Sequence, residues 1–306
     1  MPDRLNSQRP MLKPSFLNFF KFSLIAVVVI AIVFIGMAFM QNDPIDYSKS
    51  DFIQLEEPEN DADVVVFETT AGTFKAVLYE KEAPEYVKYF KKLVKDKYFD
   101  GTYICTIVKN QEGLEAGFLG GSKTADGTTV EESDTELTDI EISPNLLPIK
   151  GALGSLCSEA GMFTSAKAGS IVTFINDVVN SKELKESIKD GEDVNGRDKV
   201  TNIFLESGGV PNLMQQYTLF GQVFDGWDAY DKICSAQIID EKKADDAENK
   251  SYQPMDDIVI KKAYLSTYGE EKSGEYSLPE KTEPSNFDNK DTLTSTESET
   301  EASNES

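Results

Sequence analysis

Histidine is absent from the chain. That gap removes the side chain that most often serves as a general base near neutral pH, and the commonest zinc ligand. Schemes in which an imidazole activates a serine or cysteine nucleophile are excluded with it. Cysteine is scarce too: Cys105, Cys157 and Cys234 are the only three in 306 residues. Their spacing fits neither a zinc nor a redox motif. A single disulfide would leave one thiol over, and three small buried apolar side chains is the plainer reading. Pairing Cys105 with Cys157 would need their Cα atoms within about 7 Å. The acidic pairs Glu131-Glu132 and Asp256-Asp257 lack the spacing of a calcium loop. No metal and no cofactor is expected.

Positive charge is also short. Lys and Arg number 30 against 54 Asp and Glu, a formal net charge of -24. Such a balance repels phosphates, which argues against nucleic acid as a partner and against adsorption to an anionic bilayer. Hydrophobic residues make up 40% of the chain, enough for a real core.

One stretch lacks charge altogether. Residues 22–40 read FSLIAVVVIAIVFIGMAFM, close to the roughly 20 apolar residues that a membrane-spanning helix needs. Arg4, Arg9, Lys13 and Lys21 precede it, and Asp43, Asp46, Glu56 and Glu57 follow it. The positive-inside rule then predicts residues 1–21 in the cytoplasm, a single-pass anchor over 22–40 in the cell membrane, and the remainder extracytoplasmic. A cleaved signal peptide is the rival, with Gly36 and Ala38 as a small-x-small site. The apolar run, however, exceeds the usual h-region of about 7–15 residues. No cysteine ends the run, which disfavours a lipoprotein anchor.

Composition divides the rest. Residues 41–62 are polar and acidic and are expected to form a spacer. Residues 269–306 are so poor in apolar side chains that a disordered acidic tail is expected. Between them, residues 63–268 read as one folded domain, with polar insertions at 122–146 and 178–208 that are expected on the surface. DVVVFET and TFKAVLY flank Thr70-Ala71-Gly72 as a hairpin. Pro84 then marks a first helical position, and Val87, Phe90, Leu93 and Val94 recur on one helical face. Lys88, Lys91, Lys92 and Lys95 occupy the opposite face. YICTIV, AGFLGG, GALGSL, SIVTFI, YTLFGQVF and DIVIKKAYL read as short strands, and residues 226–237 as a second helix. Many short strands with two helices predict a mainly-β fold, a closed antiparallel sheet capped by helices.

The order of these pieces resembles the cyclophilin family of peptidyl-prolyl isomerases. The residues that carry the likeness are TTAGTFKAVLYEKEAPEYVKYFKKLVKDKYFDGT (69–102), GFLGGS (117–122), KGALGSL (150–156), Gly169-Ser170 and TLFGQVFDGWDAYDKI (218–233). The resemblance implies an eight-stranded antiparallel barrel with a helix at each end. It also implies prolyl isomerisation, whose barrier of about 18–20 kcal/mol is the loss of amide resonance as the C–N bond twists. In the family an arginine donates hydrogen bonds to the twisted amide, a case of electrostatic complementarity to the transition state.

Carried onto this sequence, the family's Phe-His-Arg falls on Ile104-Cys105-Thr106, so Thr106 stands at the arginine position. The glutamine before Gly-Gly falls on Leu119 and the glutamine after Gly-Ser on Ile171. The pocket phenylalanine falls on Thr173, the tryptophan on Asn212, the leucine on Leu213 and the histidine on Tyr217. An insertion around Asn110–Gly113 displaces the aromatic pair, leaving Phe118 nearby. The expected groove is therefore Thr106, Phe118, Leu119, Ile171, Thr173, Asn212, Leu213 and Tyr217, with no confident catalytic residue; Lys109 and Lys123 are candidates for a replacement cation. Three functions fit: a surface-tethered isomerase acting on proline-containing segments of exported proteins, with weak or lost catalysis; a non-catalytic peptide-binding or chaperone module; or a structural part of an envelope complex.

Overall fold

The computed structural model describes residues 45–110, 114–127, 137–157, 167–187, 193–239, 252–279 and 281. The expected anchor at 22–40 lies outside them. Among the described residues no helix is long and apolar enough to cross a membrane.

The hairpin forms as its sequence predicts. Strands β1 (Asp63–Thr69) and β2 (Thr73–Leu78) pair from Val64↔Val77 to Glu68↔Thr73. The Thr69 hydroxyl shapes the turn, accepting from the Ala71 and Gly72 amides and donating to the Gly72 carbonyl at 2.7 Å. Helix α1 (Pro84–Lys95) follows, with Pro84 in its first turn and Tyr86, Val87, Phe90, Leu93 and Val94 buried. Its N-cap, Ala83, has no capping side chain. The Glu141 carboxylate supplies the cap from a distance, accepting from the amides of Glu85 at 3.2 Å and Tyr86 at 2.8 Å. A carboxylate there satisfies orphan amides and complements the helix dipole.

Seven further strands complete one antiparallel sheet: β3 (Thr102–Lys109), β4 (Glu115–Ser122), β5 (Thr138–Asp139), β6 (Ala152–Cys157), β7 (Lys167–Ile175), β8 (Leu219–Asp225) and β9 (Ile258–Thr267). The spatial order β4-β3-β9-β1-β2-β8-β6-β7 returns to β4 through a β4–β7 pairing, and the two-residue β5 hangs beside β7. The barrel is thus closed by eight strands, as the resemblance implies. Aromatic side chains fill it. Phe118 stacks on Phe174 at 4.5 Å, and Phe74 meets Phe174 edge-on at 5.6 Å. Helix α4 (Trp227–Cys234) closes the other end, four residues shorter than the sequence predicts, and seats Tyr230 against Phe74 and Phe118.

Three expectations are corrected. Residues 45–62 are not a free spacer. Tyr47, Phe52 and Gln54 are buried, the first two in a satellite core with Leu147, Ile149, Val179, Val200, Ile203 and Phe204. The 178–208 insertion is not plain surface elaboration either. It carries α2 (Ser181–Ser187) and α3 (Arg197–Ser207), and α3 supplies the inward side of that core. Nor is the start of the acidic tail free. After α5 (Tyr268–Glu271), the Tyr276 hydroxyl donates to the Gln54 carbonyl at 2.6 Å, and Lys281 pairs with Asp177 at 3.5 Å.

Gln54 locks the strap to the barrel. Its carboxamide accepts from the Leu147 amide at 2.6 Å and donates to the Leu147 carbonyl and to Gln222 Oε1, each at 3.0 Å. Replacing it by alanine orphans these buried groups, each at a cost of about 1–3 kcal/mol. Gln54→Ala is expected to lose about 2–4 kcal/mol in urea unfolding with an unchanged m value. A loss below about 0.5 kcal/mol would mean that the strap is peripheral.

Candidate functional site

Sheet register decides which candidate residues meet. Directly paired residues share a face, and neighbours along a strand alternate. Ile107, Phe118, Phe174 and Leu153 are successive partners across β3, β4, β7 and β6, and all point into the barrel. The next row is therefore on the outside: Thr106, Leu119, Thr173 and Gly154. Phe118 is fully buried in the aromatic interior and is removed from the groove, since adjacent Phe118 and Leu119 cannot face the same way.

A bulge sits at the centre of this row. The β3–β4 register skips Cys105, so Cys105 and Thr106 together face Leu119. A bulge places an extra side chain on a face that alternation would deny it. Cys105 accordingly joins Leu119 and Ile171 in a small outer cluster, with Val108 and Leu156 packed against it. The Gly127 backbone lies over it: a Cβ there would stand 3.4 Å from Cys105 Sγ. Where the family places two carboxamides, Leu119 and Ile171 make an apolar floor, each 6% exposed.

Thr106 has modest company. Its hydroxyl donates to Cys105 Sγ at 3.8 Å, and no hydrogen bond or ion pair joins it to a lysine or arginine among the described residues. Both candidate cations are engaged elsewhere. Lys109 pairs with Glu115 at 2.9 Å. Lys123 donates to the Tyr98 carbonyl at 2.7 Å and lies over the Tyr98 ring at 4.0 Å. Arg197, the one arginine among the described residues, opens α3.

One loop borders the row. In the loop before β8, a turn at Pro211–Leu213 is held by the Gln216 carboxamide donating to the Asn212 carbonyl at 2.6 Å. Leu213 packs with an outer cluster around Val210, Ile175 and Leu219 rather than with Leu119 and Ile171. Tyr217 leans over β6: its Cβ is 3.8 Å from where a Gly154 Cβ would stand. Burial raises its phenol pKa, and the nearby Cys157 adds to this. The structure thus brings together Thr106, Leu119, Ile171, Thr173 and Tyr217, and sets Asn212 and Leu213 at the margin. Gly154, which leaves room beside Thr173, escaped the sequence reading although it lies within the GALGSL run. Cys105 escaped as a groove residue because a bulge leaves no periodic signal.

All three cysteines are free thiols. Among the described residues no group of three or more Cys, Asp or Glu could hold a metal ion.

The family profile described as "Cyclophilin type peptidyl-prolyl cis-trans isomerase/CLD" matches residues 64–265. The chain belongs to the cyclophilin-type family. It is 26% identical over 198 residues to a Staphylococcus saprophyticus protein provisionally named a peptidyl-prolyl cis-trans isomerase, covering 64% of this chain and 88% of that one. It is 28% identical over 174 residues to a Streptococcus pyogenes protein provisionally named a bifunctional phosphatase/peptidyl-prolyl cis-trans isomerase. That match covers 57% of this chain and spans only 34% of the streptococcal protein. Among solved structures, a Cryptosporidium parvum cyclophilin-type isomerase aligns with a TM-score of 0.47 at 19% identity, over 67% of this chain and 98% of its own.

Two predictions follow from the buried polar groups of the site. Thr173 Oγ1 is buried without a hydrogen-bond partner among the described residues. Removing an orphan hydroxyl while keeping its shape relieves desolvation, so Thr173→Val is expected to gain about 1 kcal/mol in denaturant unfolding. A loss of stability would show that the hydroxyl is satisfied in solution.

Burial raises the Cys105 thiol from 9.0 to about 11. The unfolded chain releases that proton at the lower value. The stability that the buried thiol contributes is therefore complete below pH 9.0 and declines as pH climbs toward about 11. The unfolding midpoint should fall across this window more steeply in the native chain than in Cys105→Ala, and parallel slopes would refute the assignment.

Proposed function

We propose that the barrel grips extended, proline-containing segments of exported proteins and adds little to the rate of prolyl isomerisation. Membership of the family supports peptide binding on this outer face. The observation that carries the rest is Thr106, which stands on the bulge with no cation bound to it while Lys109 and Lys123 are held by Glu115 and Tyr98. Loss of one strong charged donor removes about 2–4 kcal/mol of transition-state stabilisation, or two to three decades in rate. Here Leu119 and Ile171 also stand where the supporting carboxamides would be, and their apolar side chains offer a twisted amide no hydrogen bond. A concave apolar surface with a few polar groups suits binding. We further propose that residues 22–40 anchor the chain in the membrane with the barrel outside, on the strength of the apolar run and its charge flanks.

The test is a proline-peptide isomerisation assay paired with NMR titration of the same peptides. The expected result is a rate within about twofold of the uncatalysed one, with shifts at Thr106, Ile171 and Tyr217. Acceleration of about a hundredfold or more would overturn the loss of catalysis. Absence of shifts at those residues across a peptide library would overturn the binding role.

A further inference from the structure

From the packed strap we infer that the groove is presented directly at the bilayer surface, and that its clients are the membrane-proximal stretches of exported chains. This deepens the reading just given and rests on it, the anchor included.

The domain begins where the strap does. The Asp46 carboxylate accepts from the Ser48 amide at 3.0 Å, and Tyr47 is 3% exposed. Gly196 is pressed so close that a Cβ there would stand 2.5 Å from the Ser48 amide nitrogen. Lys199 Nζ donates to the Ser50 carbonyl at 2.8 Å and lies 4.8 Å over the Phe52 ring. With Gln54 fixed as described, no part of residues 46–54 is free to act as a leash.

Residues 41–44 alone separate the apolar run from Ile45. Five peptide links cannot span more than about 17 Å in any conformation. The headgroup layer takes about 5–8 Å of that. A free spacer of about 20 residues would instead reach some 70 Å when extended and average about 25 Å. The difference decides which face of the barrel meets the membrane.

That face carries the groove loop. The Gln215 carboxamide donates to the Tyr47 hydroxyl at 3.1 Å, and Met214 packs into the satellite core. Gln215 adopts a left-handed conformation, φ 61°, within the loop that holds Asn212, Leu213 and Tyr217. The first packed aromatic of the strap therefore touches the loop that borders the groove. Confinement raises the effective concentration of any segment tethered to the same surface and disfavours segments that extend far from it.

The full chain, reconstituted in vesicles, tests this. A fluorophore is attached at exposed Asn202 on α3, and spin-labelled lipid headgroups serve as quencher. Lipid-linked peptides with one proline, placed 5 or 40 residues from the lipid, report the client preference through binding. The expected results are quenching at Asn202 and a preference of about tenfold or more for the short peptide. Both should vanish when twenty Gly-Ser residues are inserted between Asp43 and Pro44, with the protein still retained after alkaline extraction. Retention without quenching, or equal binding of both peptides before and after insertion, overturns the inference alone. A chain that alkaline extraction releases overturns the anchor and the inference together.

Discussion

The seam at which β4 pairs with β7 is the constraint on which the rest of the molecule depends. Phe118 and Phe174 are partners across it, and their stacked rings occupy the centre of the barrel. Phe67, Phe74 and Tyr230 crowd the same space, so the interior is a lattice of edge-on and stacked rings. Each such pair contributes about 0.5–1.5 kcal/mol beyond the area it buries. A slip of one residue at the seam would pair Phe118 with Thr173 or Ile175 and force one of the two phenylalanines out of the interior. Filling the barrel and setting the groove are thus a single choice of register. The outer row of Thr106, Leu119, Thr173 and Gly154 is the other side of a decision made by aromatic packing.

Within that frame the groove's chemistry is set by small departures. The bulge at Cys105 brings a thiol into a place that regular pairing would give to a single residue, and burial raises its pKa further above neutral. Thr106 stands next to it, its hydroxyl donating to the Cys105 sulfur. The Glu141 carboxylate links the helix to the groove: it caps α1, and its own amide donates to the Thr218 hydroxyl at 2.9 Å, one residue from Tyr217. The barrel and its two closing helices are those of the family, and no lysine or arginine is bound to Thr106 among the described residues. On the reading proposed above, binding and catalysis would separate because the first needs shape and apolar area, and the second needs charge placed for the transition state.

How far the sequence could be read follows from these particulars. The hairpin, α1 and the closing strands were legible because turn chemistry at Thr69–Gly72, Pro84 and the spacing of Val87, Phe90 and Leu93 each point to one local structure. Adjacent residues of a strand face opposite ways, so placing Phe118 and Leu119 on one strand already excludes Phe118 from a groove that contains Leu119. The bulge was not legible, since skipping one residue leaves no period to detect. The strap was hidden for a different reason. Residues 41–62 are polar and acidic, and composition-based reasoning treats such segments as solvated.

The strap is ordered by a few well-made contacts rather than by apolar periodicity. Gln54 satisfies both backbone groups of Leu147 as a neighbouring strand would, and it shares Gln222, which in turn donates to the Lys150 carbonyl at 2.8 Å. Fully satisfied, such a buried network is stable and specific; half satisfied, it would be worse than an apolar patch. Tyr47 and Phe52 then bury their rings against α3, so the insertion acquires a core only because the strap is present, and the strap has a surface to bury against only because the insertion is there. The C-terminal segment closes the arrangement by donating the Tyr276 hydroxyl to Gln54 and placing Leu278 in the same core. The family match ends at residues 64 and 265, yet the described packing runs on both sides of those limits. A boundary drawn from family likeness alone would cut through the network that joins the barrel to the face nearest the proposed anchor.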